Sequence, residues 1–77
     1  MKTLRYDYSK LLGRIVEKCG TQARFADQMG LSEHTVSVRL NGKAPFRQTE
    51  IQKAIDILGI DDKDIHAYFF TQNFQKN

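Results

Sequence analysis

Glycines at positions 20, 30, 42 and 59 confine any helix in this 77-residue chain to a few turns. Each closes a stretch in which apolar residues recur at i, i+3, i+4 and i+7, the period of an amphipathic helix. No segment sustains the two-residue alternation of a half-buried strand. The chain therefore reads as all-α, a compact domain of five short helices.

The caps and apolar faces set the expected boundaries. Residues 1–6 form an arm, residues 7–70 the domain, and residues 71–77 a tail, polar except for Phe74, that is expected to fray. Asp7 is the expected N-cap of helix one, whose inner stripe is Tyr8, Leu11, Leu12, Ile15 and Cys19. Gly13 inside that helix costs about 1 kcal/mol relative to Ala, which points to close packing there. Thr21 caps helix two, with Phe25, Ala26 and Met29 inward. After Gly30, Ser32 caps helix three, while Leu31 and Val36 take the N′ and N4 positions of a hydrophobic staple. Asn41 and Gly42 stop that helix, and a loop follows at residues 43–46. Ile51, Ala54, Ile55 and Leu58 give the face of helix four. Asp61 is the expected cap of helix five, with Ile60 facing Ile65 as a second staple and an end near Phe69 or Phe70.

Length and composition narrow the function. A chain this short makes one domain, and near 60 residues a domain buries only about 60% of its unfolded surface, so caps or a partner subunit must help. Cys19 is the only cysteine, which excludes an intrachain disulfide and suits a reducing cytoplasm. No charged region leads into an apolar one and no apolar run approaches membrane-spanning length, so neither secretion nor a membrane partner is expected. Residues 1–47 carry nine Lys/Arg against four Asp/Glu, whereas residues 48–77 carry three against five. A basic front and an acidic back suit a polyanion bound on one side.

The informative stretch runs from Thr21 to Gly42. Two helices of about two turns, each capped by a hydroxyl and joined through one glycine, can cross around a shared apolar contact. Such a unit projects its second helix outward, where it fits a major groove about 12 Å wide. On a wheel of about 100° per residue, Val36 and Leu40 point inward while His34, Ser37, Val38 and Asn41 point out, with Glu33 in the first turn. That mixture of donors, acceptors and one methyl-bearing side chain matches base edges. An outward Val at mid-helix suits a thymine methyl, although single exposed apolar residues are common on any surface. Glu33 either accepts from cytosine N4 or simply favours the helix N-terminus. Gln22, opening helix two, can turn its amide to a phosphate that the helix N-terminus also attracts. Asn41, Lys43 and Arg47 lie just past helix three, in reach of phosphates across the groove. Arg24 and Arg39 are further phosphate candidates, each equally readable as a solvated helix charge.

These residues carry a resemblance. The run from Thr21 to Ser32, followed by Val36 and by Leu40-Asn41-Gly42-Lys43, resembles the phage repressor/Cro-type helix-turn-helix, the lambda-repressor-like or xenobiotic-response-element class. The terminal Tyr68-Phe69-Phe70 is similar to that of small Cro-like regulators from phages and prophages of Gram-positive bacteria. The resemblance spans about residues 8–70. It implies a five-helix lambda-repressor-like fold and a transcriptional regulator that binds duplex DNA, with Gln22 on the backbone. Glu33, His34, Ser37 and Val38 would meet base edges, and Asn41 and Lys43 phosphates. The sequence departs at Arg39, where many members carry an apolar residue that packs inward.

Catalytic chemistry finds little support. Cys19, His34 and His66 lack metal-ligand spacing, and Cys19 lies on an apolar stripe as a small hydrophobe. Asp61, Asp62 and Asp64 lack the glycine and length of a calcium loop. No enzyme, metal, cofactor or small-molecule substrate is expected. A single short domain touches few base pairs, so a homodimer on a palindromic operator is expected, with half-sites about 34 Å apart. Tyr68, Phe69, Phe70 and Phe74 are the candidate dimer contacts, and promoter occlusion is the candidate mode of repression. The rival expectation is a protein-binding phage module, an antirepressor or inhibitor that uses the same helices as scaffold.

Overall fold

The strict i, i+4, i+8 line of Leu11, Ile15 and Cys19 makes helix α1 (Ser9–Cys19) one wall of the core. The structure, a computed structural model, describes residues 4–74. After a short strand β1 (Leu4–Tyr6) and α1 come α2 (Gln22–Met29), α3 (Glu33–Leu40) and α4 (Gln48–Leu58). A 3₁₀ turn at Asp62–Asp64 then runs into α5 (Ile65–Phe69), and strand β2 (Gln72–Phe74) closes the order. Five helices around one apolar centre make the fold all-α in class, as the periodicity requires.

Both expected hydroxyl caps form. Thr21 Oγ1 accepts the Arg24 amide at 3.1 Å and Ser32 Oγ accepts the Thr35 amide at 3.0 Å, which satisfies donors that each helix start leaves without a partner. Gly30 ends α2 at φ 73°, ψ 26°, and the Leu31 amide returns to the Ala26 carbonyl. A left-handed residue there turns the chain into α3, and glycine takes that conformation without a Cβ clash. Leu31 then packs against the core in which Val36 is buried.

The core joins all five helices, with α3 contributing Val36. Phe25, Phe69, Leu11, Ile15 and Leu58 are its largest fully buried side chains, and burying each contributes about 1.5–3 kcal/mol. Arg14 extends from α1 to the far end of α4, where its Nε donates to the Leu58 carbonyl at 2.9 Å and its Nη2 to the Gly59 carbonyl at 3.3 Å. A cation thus covers carbonyls that the helix end leaves open.

Several expectations are corrected. Residues 4–6 are not a loose arm and residues 72–74 do not fray: Leu4, Arg5 and Tyr6 pair antiparallel with Phe74, Asn73 and Gln72, and the Asp7 amide donates to the Thr71 carbonyl at 2.7 Å. Three-residue strands are too short to show alternation, and their pairing is set by which elements bring the two ends together. Leu12 leaves the inner stripe and is 39% exposed, because it sits about 100° around α1 from Leu11. Nothing approaches the place of a Cβ on Gly13, so no close packing occupies it. Asp61 precedes the 3₁₀ turn without a side-chain cap, and α1 starts at Ser9 with Asp7 accepting the Ser9 amide at 2.9 Å. The Ser9 hydroxyl donates to the same Asp7 oxygen, and these two bonds hold the carboxyl below its ordinary range. Residues 1–3 and 75–77 of the expected arm and tail lie outside the described residues.

Candidate nucleic-acid interface

Helix α3 owes its placement to its two ends. At its start the Ser32 hydroxyl both accepts from the Thr35 amide and donates to Thr35 Oγ1 at 2.9 Å, which locks the first turn. At its finish Gly42 has φ 74°, its amide donates to Arg39 O, and the Lys43 amide donates to Val38 O. That pair of bonds is a Schellman closure, and it sends Lys43 away from the helix axis at a fixed point. Between the ends, Val36 is buried and Leu40 packs on the core, so the opposite side has no packing duty.

That opposite side is mostly wet and polar. Glu33 and His34 are exposed in the first turn, and Asn41 is exposed at the end. Ser37 is half-buried, and its Oγ accepts from Asn41 Nδ2 at 3.1 Å. Val38 is half-buried as well, rather than fully outward as the helical wheel places it. Thr35 is half-buried and tied into the cap, a role the wheel alone does not single out. The face therefore presents an imidazole, a carboxylate, a hydroxyl–amide pair and one partly covered isopropyl group.

The flanking candidates divide into two groups. Lys43 and Arg47 are exposed and form no salt bridge among the described residues. Gln22 is half-buried in the first position of α2, where helix amides are open. Arg24 is exposed, with its guanidinium turned back over Gly20. Arg39 belongs elsewhere. Its Nε lies 2.9 Å from Glu50 Oε1 and its Nη2 lies 3.2 Å from Glu50 Oε2, a two-point pair with side chains only 12% and 11% exposed. Bound in this way, the guanidinium presents no free charge to a phosphate. This bond to Arg39 holds the Glu50 carboxyl below its ordinary range and raises the guanidinium further above its own.

Glu50 is the residue that sequence reasoning missed. Its Oε1 also accepts the Arg47 amide at 2.9 Å, the half of a capping box that an N3 glutamate supplies. The reciprocal bond needs an acceptor at the cap, and a guanidinium has none. The spacing that would have flagged Glu50 was therefore hidden behind an arginine at position 47.

The aromatic residues assigned to a dimer contact are largely engaged within the chain. Phe69 is buried and meets Phe46 edge-to-face at 5.7 Å, and Phe46 meets Tyr8 at 5.3 Å. Phe70 packs edge-on against Tyr6 at 5.7 Å, and Lys10 lies over the Tyr68 ring at 5.0 Å. The Phe74 side chain lies outside the described residues. Among the described residues, no group of His, Cys, Asp or Glu is arranged to hold a metal ion, and no helix is long and apolar enough to cross a membrane. A surface depression at Ile60, Asp61, Asp62 and Lys63 is open and built from consecutive residues, without converging reactive groups.

The family described as "Protein of unknown function (DUF739)" matches residues 4–72. The chain belongs to the DUF739 family. Among solved structures, this DUF739 chain is similar to the modulator of repression (MOR) of the temperate bacteriophage TP901-1 from Lactococcus lactis, known from its solution structure. The two are 57% identical with a TM-score of 0.75, over 84% of this chain and 88% of that one. No curated protein matches the chain. The DUF739 match begins at the first residue of β1 and ends at the first residue of β2, so it takes in all five helices.

Proposed function

We propose that this protein is a small regulator of a temperate phage that binds duplex DNA, with α3 in the major groove. The observation that carries this reading is a helix propped at both ends whose outward face has no packing duty and bears His34, Ser37 and Asn41. A helix with its side chains is about 10–12 Å across, which suits a groove about 12 Å wide. Glu33, His34, Ser37 and Val38 would meet base edges. Lys43, Arg47, Gln22 and Arg24 would meet phosphates, with Asn41 at the boundary. A homodimer on a palindromic operator would supply the specificity that one short helix lacks, and occupancy of a promoter would repress it. Such a protein acts in the cytoplasm of the bacterial host. Nuclease footprinting on the phage's own regulatory region, together with selection of bound sites from a random duplex pool, tests the reading. A protected palindrome is expected. Absence of protection on every duplex at low ionic strength overturns it.

A second reading is favoured by a separate observation. Val16 is 60% exposed and Leu12 39% exposed, one turn apart on α1, and the similar phage protein is called a modulator of repression. In this reading the α1 flank docks on a repressor protein of the same phage and alters its action. Titration of that purified repressor, and separately of duplex DNA, with the wild type and with Val16→Asp separates the two readings. Repressor binding by the wild type that is lost in the variant supports the second, and DNA binding by both forms without repressor binding supports the first.

A further inference from the structure

We infer that the Arg39–Glu50 pair is the positioning device of α3: it sets the tilt at which the helix is presented, and so which bases its last turn meets. This inference rests on the DNA-binding reading. Helix α3 packs chiefly on α2, and Leu40 seats its last turn on the core. An apolar contact of that kind holds the helix close but does little to fix its direction relative to the second half of the chain. The two parallel bonds from Arg39 Nε and Nη2 to the two Glu50 oxygens supply that direction. A bidentate pair constrains angle as well as distance, whereas a single bond leaves rotation free. Glu50 Oε1 also accepts the Arg47 amide, so one carboxylate joins the end of α3, the loop before α4 and the first turn of α4. Both side chains are about nine-tenths covered, so water competes poorly for either.

The geometry makes the two turns of the helix unequal. The first turn is held by Ser32 and by the staple, independently of Glu50. The last turn, with Ser37, Val38 and Asn41, moves with Arg39. Loss of the pair should change base choice where those three residues reach and leave the choice made by Glu33 and His34 intact. Phosphate contacts from Lys43 and Arg47 should persist, because neither side chain is bonded to Glu50 among the described residues.

The test compares the wild type with Glu50→Gln, which keeps the shape and the acceptor for the Arg47 amide while removing the charge. Site selection from a random duplex pool and binding titrations across salt are run on both, with helical circular dichroism as the check of folding. The expected result is at least a tenfold fall in preference for the wild-type site over random duplex. The altered positions should cluster at one end of the half-site. An unchanged site and preference in a folded Glu50→Gln protein overturns the inference while leaving the DNA-binding reading intact. If Glu50→Gln loses its helical signal, Arg39→Met with Glu50→Met replaces the pair by a non-directional apolar contact, and the same shift in site is expected. Failure of the wild type to prefer any duplex overturns both the reading and the inference.

Discussion

Asn41 donates from Nδ2 to the Ser37 hydroxyl oxygen across 3.1 Å, one turn apart on the outward side of α3. The two polar side chains on which base recognition would depend thus reach the groove already oriented. If they act as a unit, removing either should forfeit much of what the pair supplies. Ser37→Ala and Asn41→Ala are each expected to lower affinity for the preferred site by about 1–3 kcal/mol, and the double variant by clearly less than their sum. A double-mutant cycle on the selected duplex measures this, and additivity within about 0.3 kcal/mol would show that the bond has no part in recognition.

Phosphate and base contacts should separate by their response to salt. Lys43 is exposed, unpaired among the described residues, and anchored by its amide to Val38. Lys43→Ala should weaken all duplexes alike and reduce the salt slope by about one phosphate's share. His34→Ala should instead narrow the gap between preferred and random duplex while leaving the slope unchanged. Titrations at several salt concentrations distinguish the two, and parallel behaviour of both variants would sink the assignment.

Much of what is written in neighbouring residues was legible, although the local cap expected at Asp61 does not form; what depends on distant residues was not. Thr21 and Ser32 cap helices whose amides lie three residues away, so a local pattern suffices to find them. The outward set on α3 follows from helical period, because Val36 and Leu40 fix the inward direction. Leu12 shows the limit of that period: it is one turn from Tyr8, as an inner residue should be, yet it falls on a flank that no helix covers. Arg39 and Glu50 stand 11 residues apart on different helices, and only the packed chain brings them together. The pairing of Tyr6 with Gln72 is less local still, which is why both ends read as loose chain.

Adjacent leucines offer a direct test of that flank. Leu11 is fully buried and Leu12 is 39% exposed. Leu11→Ala should cost about 2–5 kcal/mol through lost burial and a residual cavity. Leu12→Ala should stay within about 0.5 kcal/mol, as surface changes do. Urea denaturation of both variants checks this, and similar losses would show that Leu12 is covered in solution, as by a second copy.

Gly13 weakens α1 without a structural return. It lies in the helix interior, exposed, with open space where a Cβ would stand. Gly13→Ala should therefore stabilise the protein by about 0.5–1 kcal/mol, because alanine loses less backbone entropy on folding. In a domain of this size each kcal/mol moves the thermal midpoint by about 4–8 °C, well within calorimetric reach. A lowered midpoint would mean that the α1 surface at Gly13 is used for close contact with another molecule.

The Arg39–Glu50 pair should leave a signature in the acid range. Arg39 holds the Glu50 carboxyl below its ordinary range in the folded chain, so folding favours the ionised form. A group with a depressed folded pKa stabilises the native state above its unfolded pKa and loses that contribution as pH falls through the folded value. Wild type and Glu50→Gln should therefore differ by about 2 kcal/mol near neutral pH, the scale of a charge-assisted hydrogen-bonded contact. That difference should persist down to about pH 5 and shrink progressively below about pH 4. Denaturant midpoints for the two proteins, taken from neutral pH to about pH 3, read this directly. The remaining carboxylates titrate in both proteins, so the comparison isolates Glu50. A difference that stays constant through the acid range would mean that Glu50 acts by packing and capping alone, with no contribution from its charge.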